Sequence, residues 1–84
     1  MADVIMYSTG YCGFCARART LLNNEGAAFT DIRIDEQPER RAEMIEKSGR
    51  HTVPQIFIDG QHVGCCDDLY ALDAQGKLDS LLRG

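Results

Sequence analysis

The run Ser8-Thr9-Gly10-Tyr11-Cys12-Gly13-Phe14-Cys15 constrains this chain more than any other. A short apolar strand pattern stops there, the chain turns, and two cysteines stand three positions apart where a helical pattern begins. A cysteine in the first turn of a helix meets unpaired backbone N–H groups and the positive end of the helix dipole, and both favour thiolate over thiol. The second cysteine, one helical turn on, is within reach to close a small disulfide with the first. The spacing predicts a reversible dithiol switch, with Cys12 as the attacking sulfur at the exposed helix edge and Cys15 as the more buried resolving thiol.

Such chemistry sets a demand on the local structure. An ordinary thiol of pKa about 8.5 is only a few per cent ionised at pH 7, and lowering it to near 5 takes roughly 5 kcal/mol of differential stabilisation. The helix dipole supplies about a third of that at most, so direct N–H···S bonds from the turn must supply much of the rest.

Two other uses of the cysteines need weighing. Four cysteines in 84 residues can mark a secreted scaffold with two bridges, but Cys65 and Cys66 are adjacent and cannot easily bridge to each other. A four-sulfur zinc site would require those two neighbours to point at one ion, and no histidine stands at ligand spacing. A C-x-x-C preceded by a strand and followed by a helix favours redox chemistry over both. Of the adjacent pair, Cys65 is expected to be the more exposed.

The length suits a single domain, residues 1–84, with an economical core. A net charge of -4 and the lack of any Lys or Arg run argue against a dedicated binder of nucleic acid or of anionic membranes. The N-terminal segment has an acid where a secretory signal carries basic residues, and its apolar run is too short for a signal or a span. A reducing, cytoplasmic setting is expected.

Along the chain, Val4 to Tyr7 is a β-favouring run. From Cys12 the period becomes helical, with Cys15, Ala18 and Leu22 on one face joined by Leu21, and Asn24 and Gly26 as stop signals. Phe29, Ile32 and Ile34 mark a second strand, and Pro38 is expected in the first turn of a second helix that runs to Ser48 and is capped by Gly49. Gln55 to Ile58 is a clear strand, Asp59-Gly60 a hairpin turn, and Gln61 to Val63 the returning strand, closed by Gly64. A third helix runs from Cys66 or Asp67 through Ala74 with Leu69 and Leu72 inward; Gly76 breaks it, and Leu78, Leu81 and Leu82 suggest a last turn or two packed on the core. Tyr7, Met6 and Phe57 are assigned to the core, and His51 and His62 to solvent. The order β-α-β-α-β-β-α is that of an α/β fold with a four-stranded mixed sheet flanked by helices.

Two further segments bear on function. Thr52-Val53-Pro54 is either a plain strand-initiating proline or, if the Val53–Pro54 bond is cis, a turn that presents the Val53 backbone to an extended peptide-like substrate. Gly64-Cys65-Cys66-Asp67-Asp68 is either a plain helix cap or a set of N–H groups and carboxylates suited to a ligand carrying both a carboxylate and an ammonium.

Taken together, Cys12-x-x-Cys15 after a strand, Thr52-Val53-Pro54-Gln55-Ile56-Phe57-Ile58, Gly64-x-Cys66-Asp67-Asp68 and Leu69-Tyr70-Ala71-Leu72 resemble the glutaredoxin family, of its small bacterial dithiol type, over nearly the whole chain. The resemblance implies a thioredoxin-like fold, a cis Pro54, and glutathione as co-substrate in the reduction of protein disulfides and glutathione mixed disulfides. It also implies a glutathione site made of Phe14, Thr52, Val53, Pro54, Gly64, Cys65, Cys66 and Asp67. Glutathione would bond through its sulfur to Cys12 and pair its backbone with Val53. Its γ-glutamyl carboxylate would meet N–H groups around Cys66 and Asp67, and its ammonium the Asp67 carboxylate.

Three positions depart from the family pattern. Gly13-Phe14 replaces the usual Pro-Tyr between the cysteines and is similar to the pair in monothiol glutaredoxins that carry iron–sulfur clusters, although those have serine where Cys15 stands. That similarity supports an alternative: a homodimer acting as cluster carrier or sensor, in which Cys12 of two subunits and two glutathione thiols ligate one [2Fe–2S] cluster. The leading reading is a monomer with no metal. Thr9 stands near where the family often has a lysine, leaving Arg40 or Arg41 as candidates to replace its charge, and Cys65 replaces the second of two glycines. A thioredoxin proper is disfavoured because Trp-Cys-Gly-Pro-Cys is absent.

Overall fold

A computed structural model describes residues 2–83. Strand β1 (Val4–Ser8) leads through Cys12 into helix α1 (Gly13–Asn24), and β2 (Phe29–Arg33) is followed by α2 (Arg40–Ser48). Strands β3 (Gln55–Ile58) and β4 (Gln61–Gly64) precede α3 (Cys66–Ala74) and a short α4 (Leu78–Arg83). The sheet order is β2-β1-β3-β4, with β1 and β2 parallel and the other two pairings antiparallel. This is the thioredoxin-like arrangement expected from the sequence, extended by α4.

Alternation along β1 divides the core in two. Val4 and Met6 face Ala18, Leu21 and Leu22 of α1, Leu69 of α3, and Leu78 and Leu82 of α4. Tyr7, from the opposite face, packs with Ile32, Ile34, Phe57 and Met44 of α2. Central β3 is buried on both faces, which explains its unbroken apolar run Ile56-Phe57-Ile58. The Asp59-Gly60 turn has both residues at positive φ (52° and 79°), as a two-residue hairpin of this hand requires. One extra residue in β4 between the partners of Ile56 and Phe57 makes a bulge just before the chain enters α3.

Three local expectations change. Pro38 lies outside α2, in a turn where the Gln37 and Pro38 carbonyls accept the N–H groups of Arg40 and Arg41; the preceding turn, with the Glu36 and Gln37 N–H groups folded back on the Arg33 carbonyl, delays the helix. Leu81 is exposed, because the short α4 turns Leu78 and Leu82, a full turn apart, onto the core. His62 is half-buried on the α2 side of the sheet: its register opposite Phe57 brings the rings to 5.0 Å, and its Nε2 is 2.7 Å from Gln55 Oε1. Burial, with the charge of Arg50, holds its pKa below the ordinary value. His51 is exposed, as expected.

On the α2 side, Tyr7 ends its otherwise apolar contacts with a hydrogen bond from its hydroxyl to Glu43 Oε2. Arg40 donates to both Glu43 oxygens, at 2.8 and 3.2 Å, and together these donors bring the Glu43 carboxyl from an ordinary 4.5 down to about 2, with Arg40 the larger cause. A depressed carboxyl contributes stability that is complete above the unfolded value and disappears as pH falls through the folded one. Wild type should therefore melt about 5 °C above Glu43→Gln at pH 7, corresponding to about 1 kcal/mol for a partly exposed charge-assisted network. The gap should close as pH falls from 4.5 toward 2. A gap independent of pH in thermal melts followed by circular dichroism would remove Glu43 as its source.

Candidate active site

The end of β1, the N-terminus of α1, the turn before β3 and the N-terminus of α3 meet at one edge of the sheet. Cys12 is the N-cap of α1, with extended backbone, and its Sγ accepts the Cys15 N–H at 3.4 Å. This is the N–H···S bonding that a lowered thiol requires. Burial works against the Cys12 thiolate, but the Cys15 and Phe14 N–H groups, the Cys15 side chain and the charge of Arg19 outweigh it, and the pKa of Cys12 lies below the ordinary value. Cys15 is fully buried, and burial, reinforced by the hydrogen bond and charge of Cys12, pushes its thiol up to about 12. One thiol is thus acidic and half-exposed, and its neighbour is buried and held protonated, by burial first and by Cys12 second.

Opposite Cys12 stands the turn Thr52-Val53-Pro54. The Val53–Pro54 bond is cis, and the Val53 carbonyl oxygen lies 3.9 Å from Cys12 Sγ. Gln55, fully buried, holds this turn from beneath: its Nε2 donates to the Thr52 carbonyl at 3.0 Å and contacts the Thr52 hydroxyl at 3.3 Å, while its Oε1 meets His62. Phe14, Thr52, Val53, Pro54, Cys65, Cys66 and Asp67 line a cleft of about 280 Å³. Seven of the eight residues anticipated for the glutathione site therefore share one cleft. The eighth, Gly64, is buried beside it against Asp68.

At the start of α3, Asp68 acts as a cap. Its Oδ2 accepts the Cys65 N–H at 3.0 Å and the Cys65 thiol at 3.3 Å, which together hold its carboxyl below the usual range. Asp67 is exposed at the cleft. The N–H groups of Cys66 and Asp67, in the first turn of α3, have no carbonyl partner within the helix. As expected, Cys65 is more exposed than Cys66, whose thiol burial pushes up. All four cysteines are free thiols, and among the described residues no three His, Cys, Asp or Glu side chains are gathered as metal ligands.

The arginines of α2 are engaged elsewhere, Arg40 with Glu43 and Arg41 with the His51 carbonyl. The cation that bears on both cysteines is Arg19, four residues beyond Cys15 on α1, which the helical reading left off the buried face. Gln55 was also missed as a support of the Thr52 turn. A polar residue opening an otherwise apolar strand is the signal that could have found it. Tyr11, 84% exposed, and Phe14, 55% exposed, flank Cys12 as aromatic surface.

An acidic helix-capping thiol, a buried partner thiol and a facing cis-proline turn define a dithiol oxidoreductase of the thioredoxin-like class. The family profile described as Glutaredoxin matches residues 4–63. Glutaredoxin 3 of Escherichia coli K12 is 55% identical over 83 residues, covering 99% of this chain and all of that protein. The solution structure of a Brucella melitensis glutaredoxin superposes with a TM-score of 0.85 at 60% identity, over 98% of this chain and 89% of that one. A buckwheat glutaredoxin solved as a glutathione complex gives 0.89 at 32% identity, over 98% of this chain and 77% of that one. The chain belongs to the glutaredoxin family and is a glutathione-dependent thiol–disulfide oxidoreductase.

Proposed function

We propose that Cys12 is the attacking sulfur, Cys15 the resolving thiol, and the cleft beside them the glutathione site, within a single domain of residues 1–84. The observation that carries this reading is the pairing at one point of an N–H-stabilised Cys12 sulfur and, 3.9 Å away, the Val53 backbone. In this reading the Cys12 thiolate attacks the glutathione sulfur of a glutathionylated protein. The Cys12–glutathione disulfide forms as the protein–glutathione bond breaks, and the protein thiolate leaves and takes up a proton. A second glutathione thiolate then attacks the bound glutathione sulfur, releasing oxidised glutathione and the Cys12 thiolate. The attack falls on the glutathione sulfur because the cleft fits that half of the substrate.

Cys15 is not needed for this route, because glutathione itself regenerates Cys12. Burial first, then the hydrogen bond and charge of Cys12, push the Cys15 thiol well above its ordinary value. For a protein disulfide, attack by Cys12 consumes the charge that suppresses Cys15, which then displaces the client and closes Cys12–Cys15; two glutathiones reopen it. Glutathione is held by Val53 backbone pairing, its γ-glutamyl carboxylate at the Cys66 and Asp67 N–H groups, and its ammonium at the Asp67 carboxylate. Phe14, Thr52, Pro54, Gly64 and Cys65 shape the walls. A dithiol acting as reductant works where the surroundings keep it reduced, which supports a cytoplasmic setting. For location, the fact in hand is that no described helix is long and apolar enough to cross a membrane. No observation on this chain favours the cluster-bridged dimer suggested by Gly13-Phe14.

The test is steady-state turnover of a glutathione mixed disulfide with glutathione as reductant. Asp67→Asn should raise KM for glutathione roughly fivefold, the worth of one exposed ion pair, with kcat little changed. An unchanged KM would remove Asp67 from the site, and absence of wild-type turnover would overturn the reading as a whole.

A further inference from the structure

Beneath the active-site turn lies a polar cluster that the proposed mechanism does not use. Arg19 Nε donates to Asp31 Oδ2 at 2.7 Å, and one Arg19 terminal nitrogen donates to Ser8 Oγ at 2.8 Å and to the Thr9 carbonyl at 3.2 Å. Ser8 closes the ring by donating its hydroxyl to Asp31 Oδ1. Ser8 is fully buried and Thr9 nearly so, and the Thr9 N–H works against the rise that burial imposes on the Cys15 thiol. The guanidinium thus grips the two residues that carry the chain out of β1 toward Cys12, using its fork to do what a single ammonium cannot.

We propose that Arg19 is a positioning residue for the reaction: clamped by Asp31, it fixes the Ser8–Thr9 backbone that leads into the dithiol and places a fixed positive charge beneath the active-site turn. It fills the electrostatic role left open where Thr9 stands, and does so from α1.

The other charges around the dithiol are engaged or lie outside it. Arg17 of α1 packs over the Tyr70 ring, 5.3 Å from its centroid, and Arg50, before the Thr52 turn, reaches Asp68 at 3.5 Å. Arg33 pairs with Asp35 at 2.8 Å, and Asp35 holds the Gly10 N–H at 3.2 Å. From α3 the dithiol meets the buried, neutral Cys66 and, at the exposed end of the cleft, Asp67 and Cys65; His51 is exposed at the base of the facing turn. Asp31 on β2 is the carboxylate that directly offsets Arg19.

A charge role and a purely structural role predict different signs. Arg19→Gln removes the cation and makes Cys12 less acidic, whereas Asp31→Asn leaves the cation and removes the anion offsetting it, making Cys12 more acidic. Loss of support alone would move both variants the same way, because both break the same ring. The proposal rests on Cys12 being the attacking sulfur, and its test reads that separately: the full-length reduced protein is alkylated with iodoacetamide across pH, and the first modified cysteine is located by mass spectrometry. Arg19→Gln should react roughly fivefold more slowly than wild type below the midpoint, with its midpoint raised; Asp31→Asn should have a lowered midpoint, and Arg19→Lys, which keeps the charge but not the fork, should recover the rate only in part. Any pattern other than opposite shifts overturns the proposal. Should Arg19→Gln not fold, an unchanged or raised midpoint in Asp31→Asn does so alone. First modification at a cysteine other than Cys12 would instead overturn the assignment of the attacking sulfur.

Discussion

Cys12→Ser should reduce turnover of glutathione mixed disulfides and of protein disulfides to background, a loss on the order of a thousandfold or more, while Cys15→Ser should lose only the second activity. The asymmetry follows from the two environments. Cys12 caps α1 and takes the Cys15 N–H at 3.4 Å, so its sulfur is stabilised as an anion where a substrate can reach it. A serine hydroxyl there keeps the cap but is not ionised near neutrality, so helix and fold survive and the nucleophile does not. Cys15 is fully buried, with its thiol pushed up to about 12, and in the mechanism proposed above it acts only after Cys12 has given up its charge. The readout is glutathione-coupled turnover on a small mixed disulfide and on a protein disulfide, measured for both variants. A Cys12→Ser protein that retains most of its mixed-disulfide activity while Cys15→Ser loses it would reverse the assigned roles.

The parts of this structure legible in the sequence are those whose cause is local. Cys12 at the helix start, the Cys15, Ala18 and Leu22 face, the Asp59-Gly60 turn and the Gly49 cap each depend on a few neighbouring residues, and each is found where the pattern put it. The cleft was legible for a different reason: its residues come from three short motifs, and the resemblance supplied how these meet in space. What the pattern did not reveal depends on partners distant in the chain. His62 leaves solvent because of Gln55 and Phe57 on the adjacent strand, and Arg19 acquires its role only because β2 brings Asp31 beneath it. Neither residue has a local signal, since a half-polar strand and a charged helix flank look alike whether or not something waits across the sheet. Pro38 is a different case: its displacement from α2 is local, a turn in which the Glu36 and Gln37 N–H groups fold back on the Arg33 carbonyl and which the helix-start signal of a proline did not register.

Gly64→Ala should be the most damaging single methyl group that can be added near the cleft. Gly64 has φ 129°, a conformation side chains rarely adopt, and a Cβ there would come within 2.1 Å of Asp68 Oδ2 and 2.9 Å of Asp68 Cβ. Backbone strain of this kind costs about 1–3 kcal/mol, and expelling the Asp68 carboxylate removes the cap on α3 for about 1 kcal/mol more. The expected loss is therefore about 2–4 kcal/mol in urea unfolding, accompanied by a higher KM for glutathione as the first turn of α3 shifts. Asp68→Ala should cost about 1 kcal/mol, since it removes the cap without straining the turn. The double variant separates the two causes: with Asp68 truncated the carboxylate collision is gone, so Gly64→Ala/Asp68→Ala should lose less than the sum of the single changes. Strict additivity would mean that the glycine is required by its dihedral and by the nearness of the residue 68 Cβ, at 2.9 Å, and not by the carboxylate. Positive coupling would mean that Gly64 is needed because the Asp68 carboxylate occupies the space a side chain would take, in order to hold the Cys65 N–H and keep the end of α3 aligned on the cleft.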